Sequence, residues 1–348
     1  MKVKIVADQL CDSEAGVGSS SHPVQPLVDY GRLPEFVALT KPRVMMLAVF
    51  TALVGLINAP VRLEPFVAFV AVLAIAAGAG SAGVLNMWYD ADIDAVMKRT
   101  AMRPIPRGMV SRSEALVFGL ALAVAAVAGL ALATNVTAAA LLAGAILFYV
   151  VVYTAWLKRS TRQNIVIGGA AGALPPVIGW AAATGDIGLQ PLVLFLIIFL
   201  WTPPHFWALS LNRVDDYARA GVPMLPVVAG RAATTRQILV YSALLAIASV
   251  LPWALGFAGA IYGAIAAIGG ALFLGLAFQL SRSGEADRRA AHRLFVFSIS
   301  YLFVLFAAVS IDRSANASPS SRLPHDARID VGSSVAMPIT TNVRAREV

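Results

Sequence analysis

Residues 86–108, NMWYDADIDAVMKRTAMRPIPRG, decide the reading of the whole chain. The residues before them, 66–85, carry no charge. About 20 apolar residues are what a helix needs to cross a bilayer. Asn86, Asp90 and Asp94 then follow at a spacing of four. On a helix that step turns a side chain only about 40° and raises it roughly 6 Å, so the three share one face. Lys98, Arg99, Arg103 and Arg107 come next. Hard oxygen donors suit Mg²⁺, which takes one or two carboxylates and fills its shell with water and substrate phosphates. The cations beyond suit the phosphates themselves. The stretch predicts a metal–diphosphate site at the edge of a membrane. Taken alone, it reads equally well as the solvated end of an ordinary span.

The rest of the chain supports the membrane setting. The 348 residues are 59% hydrophobic and 13% charged, with a mean hydropathy of +0.76. Soluble domains carry about 25% charged residues. The net charge of +8 sits in short loops between apolar runs, which is topology and not a nucleic-acid face. One cysteine, Cys11, excludes an internal disulfide. His22, His205, His292 and His325 are scattered without zinc-ligand spacing. Runs of spanning length fall near 43–60, 66–86, 114–133, 136–157, 165–183, 191–211, 237–257, 259–280 and 293–311. The expected fold is all-α, with nine transmembrane helices. Residues 1–35 read as a disordered cytoplasmic arm. Their acids, Asp8, Asp12 and Glu14, and lack of a long apolar run argue against a signal or transit peptide. Residues 36–312 read as the membrane domain and 313–348 as a polar, disordered tail.

Basic residues crowd the loops after the second, fourth, sixth and eighth spans, while the opposite short loops hold only Arg62. The positive-inside rule then puts the N-terminus and these loops in the cytoplasm and the C-terminus in the periplasm. The acidic arm points to a bacterial inner membrane.

A second acidic cluster follows the sixth span, in SLNRVDDYARAGVPMLPVVAG, residues 210–230. Asn212 and Asp216 again stand four apart, with Asp215 beside them. The second and sixth spans are four helices apart and run in the same direction. This predicts two four-helix units plus a ninth helix around a central cavity, each unit bringing one acidic end to the same face. Two such ends are hard to explain as ordinary loops. They fit an amphiphile with a diphosphate head, whose departing charge Mg²⁺ on Asp90, Asp94 and Asp216 would neutralise. Loss of diphosphate from an allylic carbon leaves a cation, which aromatic faces in a dry pocket steady. Candidates are Trp88, Tyr89, Tyr153, Phe206, Trp207 and Tyr217, although interfacial anchoring accounts for most such rings taken singly.

At this point the chain resembles a known family. The pattern of Asn86, Asp90, Asp94, Arg99, Thr100, Arg103 and Pro104 is similar to the first signature of the UbiA-type intramembrane prenyltransferases. Four further stretches resemble the branch that farnesylates haem: LTKPRV at 39–44, YTAWLKRSTRQNIVIGGAAGALPPVIGW at 153–180, WTPPHFWAL at 201–209 and DDYARAGVPMLPVVAG at 215–230. The resemblance implies that farnesyl diphosphate alkylates a vinyl group of haem b, water adds, and haem O and diphosphate result. It implies a first metal site at Asn86, Asp90 and Asp94, and a second at Asn212 and Asp216 with Asp215 nearby. It makes Lys98, Arg99, Arg103 and Arg107 diphosphate ligands, with Lys158 and Arg159 as further candidates. Many members of the superfamily place another aspartate four residues after the second motif. Here that position is Ala220, which implies a lighter second site. Haem O would pass to oxidases or to haem A formation, and docking with haem A synthase or oxidase-assembly proteins is left open.

His205 follows Pro203 and Pro204 in the sixth span. A polar group inside a span defaults to function, here a haem contact. The competing expectation is a histidine bonding carbonyls freed by a proline break. His292, at the entry to the last span, reads as interfacial. A related prenyltransferase with a quinone-precursor or other aromatic acceptor is the alternative function. A transporter would place its acids at the bilayer midplane, which this spacing does not.

Overall fold

The computed structural model describes residues 32–284 and 287–316, with side chains as far as Asp312. The expected arm up to residue 31 and the tail from 317, with Cys11, His22 and His325, lie outside the described residues. Within them the chain is helical, with no strand. The helices are α1 Leu33–Leu39, α2 Pro42–Ile57, α3 Pro65–Tyr89, α4 Ala91–Val96, α5 Arg112–Ala133 and α6 Val136–Ser160. They continue as α7 Asn164–Thr184, α8 Leu189–Leu211, α9 Val214–Arg219, α10 Leu225–Ala254, α11 Ala260–Arg282 and α12 Arg288–Asn316. Among the described residues eight are long and apolar enough to span, and α1 with α2, bent by 54°, would make a ninth if the pair crosses as one span.

Local chemistry sets the ends. Ser111 and Glu114 form a reciprocal capping box at the start of α5. The Asn135 side chain caps α6, accepting from the Ala138 amide at 2.9 Å. Each satisfies amides that a helix start leaves unpaired. Helices α2 and α7 cross so closely that a Cβ on Gly55 would overlap the Pro176 carbonyl, and one on Gly179 the Ala52 carbonyl. Helix α12 returns against α2 and closes the bundle.

Three local expectations change. Pro203 and Pro204 do not break their helix; α8 runs unbroken through both. Each proline removes one N–H, but its neighbours keep helical geometry, and packing on α7, α10 and α12 holds the segment. The seventh span begins at Leu225, well before residue 237, because the VVAGR stretch is helical around a break at Gly230, where φ is 75°. Helix α1 has no counterpart among the expected spans. It meets α2 at Lys41, whose φ of 56° is left-handed.

Candidate active site

The repeat is visible in the elements. Each of two long helices ends in a short acidic one: α3 in α4, and α8 in α9. Both short helices lie at the same end of the bundle. Ile93 of the first and Met97 just after it share an apolar cluster with Tyr217 of the second and with Val222 and Met224 in the turn that follows. Burial pushes the Tyr217 hydroxyl above its ordinary value, Arg99, Arg213 and Arg103 pull it down, and Asp216 adds to the rise. That one phenol feels charges from both motifs.

Asn86, Asp90, Asp94 and Asp216 are buried. Each carboxylate has a cation. Lys158 Nζ lies 2.5 Å from Asp90 Oδ2, Arg103 lies 2.5 Å from Asp94 Oδ2, and Arg219 bonds Asp216. Asn86 is the hub. Its amide nitrogen donates to Asp90 Oδ2 at 2.8 Å and to Thr154 Oγ1 at 3.0 Å, and its oxygen accepts from Lys41 Nζ at 2.6 Å. The left-handed backbone at Lys41 costs roughly 1–2 kcal/mol, and strain of this kind gathers at functional sites.

Other expected residues stand further out. Lys98, Arg99, Arg107 and Asp215 are exposed. Asn212 donates to the Arg288 carbonyl at 3.3 Å. Arg159 is engaged by Asp92 through two bonds of 2.7 Å. That pair holds the Asp92 carboxyl down at about 2, mainly through the Arg159 hydrogen bond. His205 is sandwiched between Trp201 and Phe295, with ring centroids 4.2 and 4.7 Å away. Its Nδ1 lies 2.6 Å from Ser298 Oγ on α12, so Ser298, and not a freed α8 carbonyl, is its Nδ1 partner.

Among the described residues no three His, Cys, Asp or Glu side chains gather closely enough to hold a metal by themselves. The donors nonetheless fit Mg²⁺. Asp90 Oδ1 and Asn212 Oδ1 are buried oxygens with no hydrogen-bond partner among the described residues. Leaving such groups unsatisfied is costly, and Mg²⁺ needs few protein oxygens when phosphates complete its shell.

An apolar cavity of about 160 Å³ opens beside this cluster, with Lys41 its one charged lining residue. That is about tenfold the ~10–15 Å³ a single water needs. Met45, Ile75, Leu142 and Tyr149 are among its walls. Tyr149 lies 5.3 Å, centroid to centroid, from Tyr153. Of the aromatic candidates, Tyr89 lies under the Arg159 guanidinium and Trp207 packs on Tyr241. Lys41, Asp92, Tyr149 and Thr154 were not singled out from the sequence. Lys41 stands in the LTKPRV stretch, before Pro42 at the head of an apolar run, and that stretch is the signal that could have found it.

A helical membrane bundle with paired acids and cations at the mouth of an apolar cavity defines an intramembrane enzyme for an amphiphile with an anionic head. The family profile for the UbiA prenyltransferase family matches residues 48–299, and the chain belongs to that family. Among its relatives, a protoheme IX farnesyltransferase of Afipia carboxidovorans is 59% identical over 84% of this chain and 94% of its own length. One from Methylobacterium radiotolerans is 57% identical over 82% and 90%. Among solved structures, a digeranylgeranylglyceryl phosphate synthase has a TM-score of 0.68 at 20% identity, over 81% of this chain and 98% of its own. A UbiA homologue from Archaeoglobus fulgidus, bound to DMAPP and Mg²⁺, has a TM-score of 0.60 at 17% identity, over 78% and 99%. At these identities the solved structures speak to the fold alone.

Proposed function

We propose that this chain transfers the farnesyl group of farnesyl diphosphate to a vinyl group of haem b, giving haem O and diphosphate. The observation that carries the reading is the cluster of Lys41, Asn86, Asp90, Asp94, Arg103 and Lys158 at the mouth of an apolar cavity. Such a junction suits a charged head joined to an isoprenoid tail. The identity to relatives named for this reaction sets the acceptor, in preference to a quinone precursor.

Lys41, Arg103 and Lys158 would bind the diphosphate oxygens, with exposed Lys98, Arg99 and Arg107 drawing the anion in. Asn86, Asp90 and Asp94 on one side, and Asn212 and Asp216 on the other, would hold Mg²⁺. Bound there, Mg²⁺ supplies Lewis-acid neutralisation of the leaving diphosphate. The C1–O bond breaks and its electron pair leaves with diphosphate. The vinyl π electrons of haem b form the new C–C bond to C1. Water then adds to the carbon beside the porphyrin and gives up a proton, leaving a hydroxyl. Tyr149 and Tyr153 would present ring faces to the allylic cation, and the apolar walls would keep water from capturing it early. His205 would meet the haem through Nε2, because Ser298 engages Nδ1.

We assign the site face to the cytoplasm of a bacterial inner membrane. Haem-A-forming or oxidase-assembly proteins would be the protein partners. The test is a product assay with purified protein, Mg²⁺, haem b and farnesyl diphosphate, read by mass spectrometry of extracted haems. A hydroxyethylfarnesyl haem that disappears with EDTA is expected. Prenyl diphosphate binding without that product would reopen the acceptor, starting with aromatic quinone precursors.

A further inference from the structure

We propose that Arg159 is a positioning residue. With Asp92 it clamps the junction of α3 and α4 from outside, and so fixes the pose of the Asp90 carboxylate. This rests on the prenyl diphosphate and Mg²⁺ reading.

Both terminal nitrogens of Arg159 are engaged, and its Nε is buried without a hydrogen-bond partner among the described residues. Its terminal nitrogens each lie 2.7 Å from an Asp92 oxygen. One of them also donates to the Tyr89 carbonyl at 3.3 Å and lies 3.6 Å from Asp90 Oδ1. The guanidinium carbon sits 4.9 Å from the Tyr89 ring centroid. Arg159 thus touches residues 89, 90 and 92, one on each side of the junction and Asp90 at it. Asp90 is the residue at which α3 stops and α4 starts, and no side chain caps α4. Backbone bonds from the Asp90 amide to Asn86 and from the Asp94 amide to Asp90 run through the joint, and the clamp adds a side-chain tie on its outer side.

The neighbouring cation does different work. Lys158 reaches Asp90 Oδ2 at 2.5 Å. Consecutive helical residues point about 100° apart, and this pair directly follows a π-helix over Phe148–Leu157. Such wide turns recur at functional sites. The outcome is a carboxylate held at Oδ2 by Lys158, with Oδ1 buried, facing Arg159 and free of hydrogen bonds among the described residues. Asp92 and Arg159 are 54% and 33% exposed. A pair that open to solvent adds little to folding, so its effect falls on geometry. Outer groups that orient a metal-binding carboxylate tune metal affinity by about 10–100-fold.

The test uses the full-length protein with Asp92→Asn, Arg159→Gln, the double variant, and the exchanged pair Asp92→Arg with Arg159→Asp. The probes are Mn²⁺, followed by its electron spin resonance, and unreactive farnesyl thiodiphosphate. Each single variant is expected to weaken Mn²⁺ binding about tenfold, the double variant no further, and the exchanged pair to recover part of the loss. Normal Mn²⁺ binding in Asp92→Asn, alongside weakened thiodiphosphate binding in Arg159→Gln, would make Arg159 a diphosphate ligand and overturn the clamp. A wild-type protein that bound no thiodiphosphate would count against the functional reading instead. The clamp is then judged by amide exchange across residues 89–96, which should quicken in Asp92→Asn. Unchanged exchange would overturn it.

Discussion

At the scale of the residue, the site is a set of buried charges that answer one another. Asp90 is fully buried beside Lys158, and the Lys41 ammonium rests on Asn86. Removing one member of such a set leaves another unpaired, so isosteric changes are the informative ones. Asp90→Asn keeps the volume and removes the charge. Turnover should fall about a hundredfold or more, with the protein still folded by size exclusion and thermal unfolding. Near-normal turnover would take Asp90 out of the chemistry. Lys41→Met keeps most of the stem and removes the cation. The loss of a charge-assisted bond worth ~1.5–3 kcal/mol should lower kcat/KM for farnesyl diphosphate about ten- to hundredfold. If KM for haem b moved instead, Lys41 would belong to the acceptor side.

At the scale of the element, the cavity takes its shape from close helix contacts. Gly78 faces Leu142, whose nearest carbon would lie 2.7 Å from an added Cβ, whereas a Cβ on Gly172 meets nothing within 4 Å. Both glycines line the apolar cavity. Gly172→Leu should therefore fill the cavity without disturbing packing. Turnover with farnesyl diphosphate should fall more than turnover with geranyl diphosphate, at an unchanged unfolding temperature. An unchanged ratio of the two donors would separate this cavity from the prenyl tail. The same scale explains what the sequence could and could not reveal. The Asn86–Asp90–Asp94 face was legible because a spacing of four is a helical period. Asp92 lies off that face, and its partner Arg159 comes from α6, 67 residues on, a pairing that no local spacing encodes. Lys41 reaches Asn86 through a 54° bend between α1 and α2, an angle that no local pattern encodes. His205 was visible as a polar group in a span, but its partners Phe295 and Ser298 come from α12, about ninety residues on. The paired prolines misled because a proline shortens the hydrogen-bond ladder without dictating a break when neighbouring helices hold the backbone.

At the scale of the whole molecule, the two ends of the bundle differ in charge, and the proposed cytoplasmic orientation rests on that difference. The end with α4 and α9 exposes Lys98, Arg99, Arg107, Arg112, Arg213 and Arg219, whereas the opposite turns expose Arg62, Glu64 and Asp186. Short loops rich in Lys and Arg stay on the cytoplasmic side. A polyanionic diphosphate would then enter from the water phase at the basic end, and its tail would slide between helices into the cavity. Two surface positions report on this. Met102 is 70% exposed at the site end, and Leu255 is 46% exposed in the turn between α10 and α11 at the other. In a Cys11→Ser background, Leu255→Cys should react with a membrane-impermeant maleimide in spheroplasts. Met102→Cys should react only in inverted vesicles. The reverse pattern would put the diphosphate site on the outer face and remove the cytoplasmic assignment, while leaving the geometry of the site untouched.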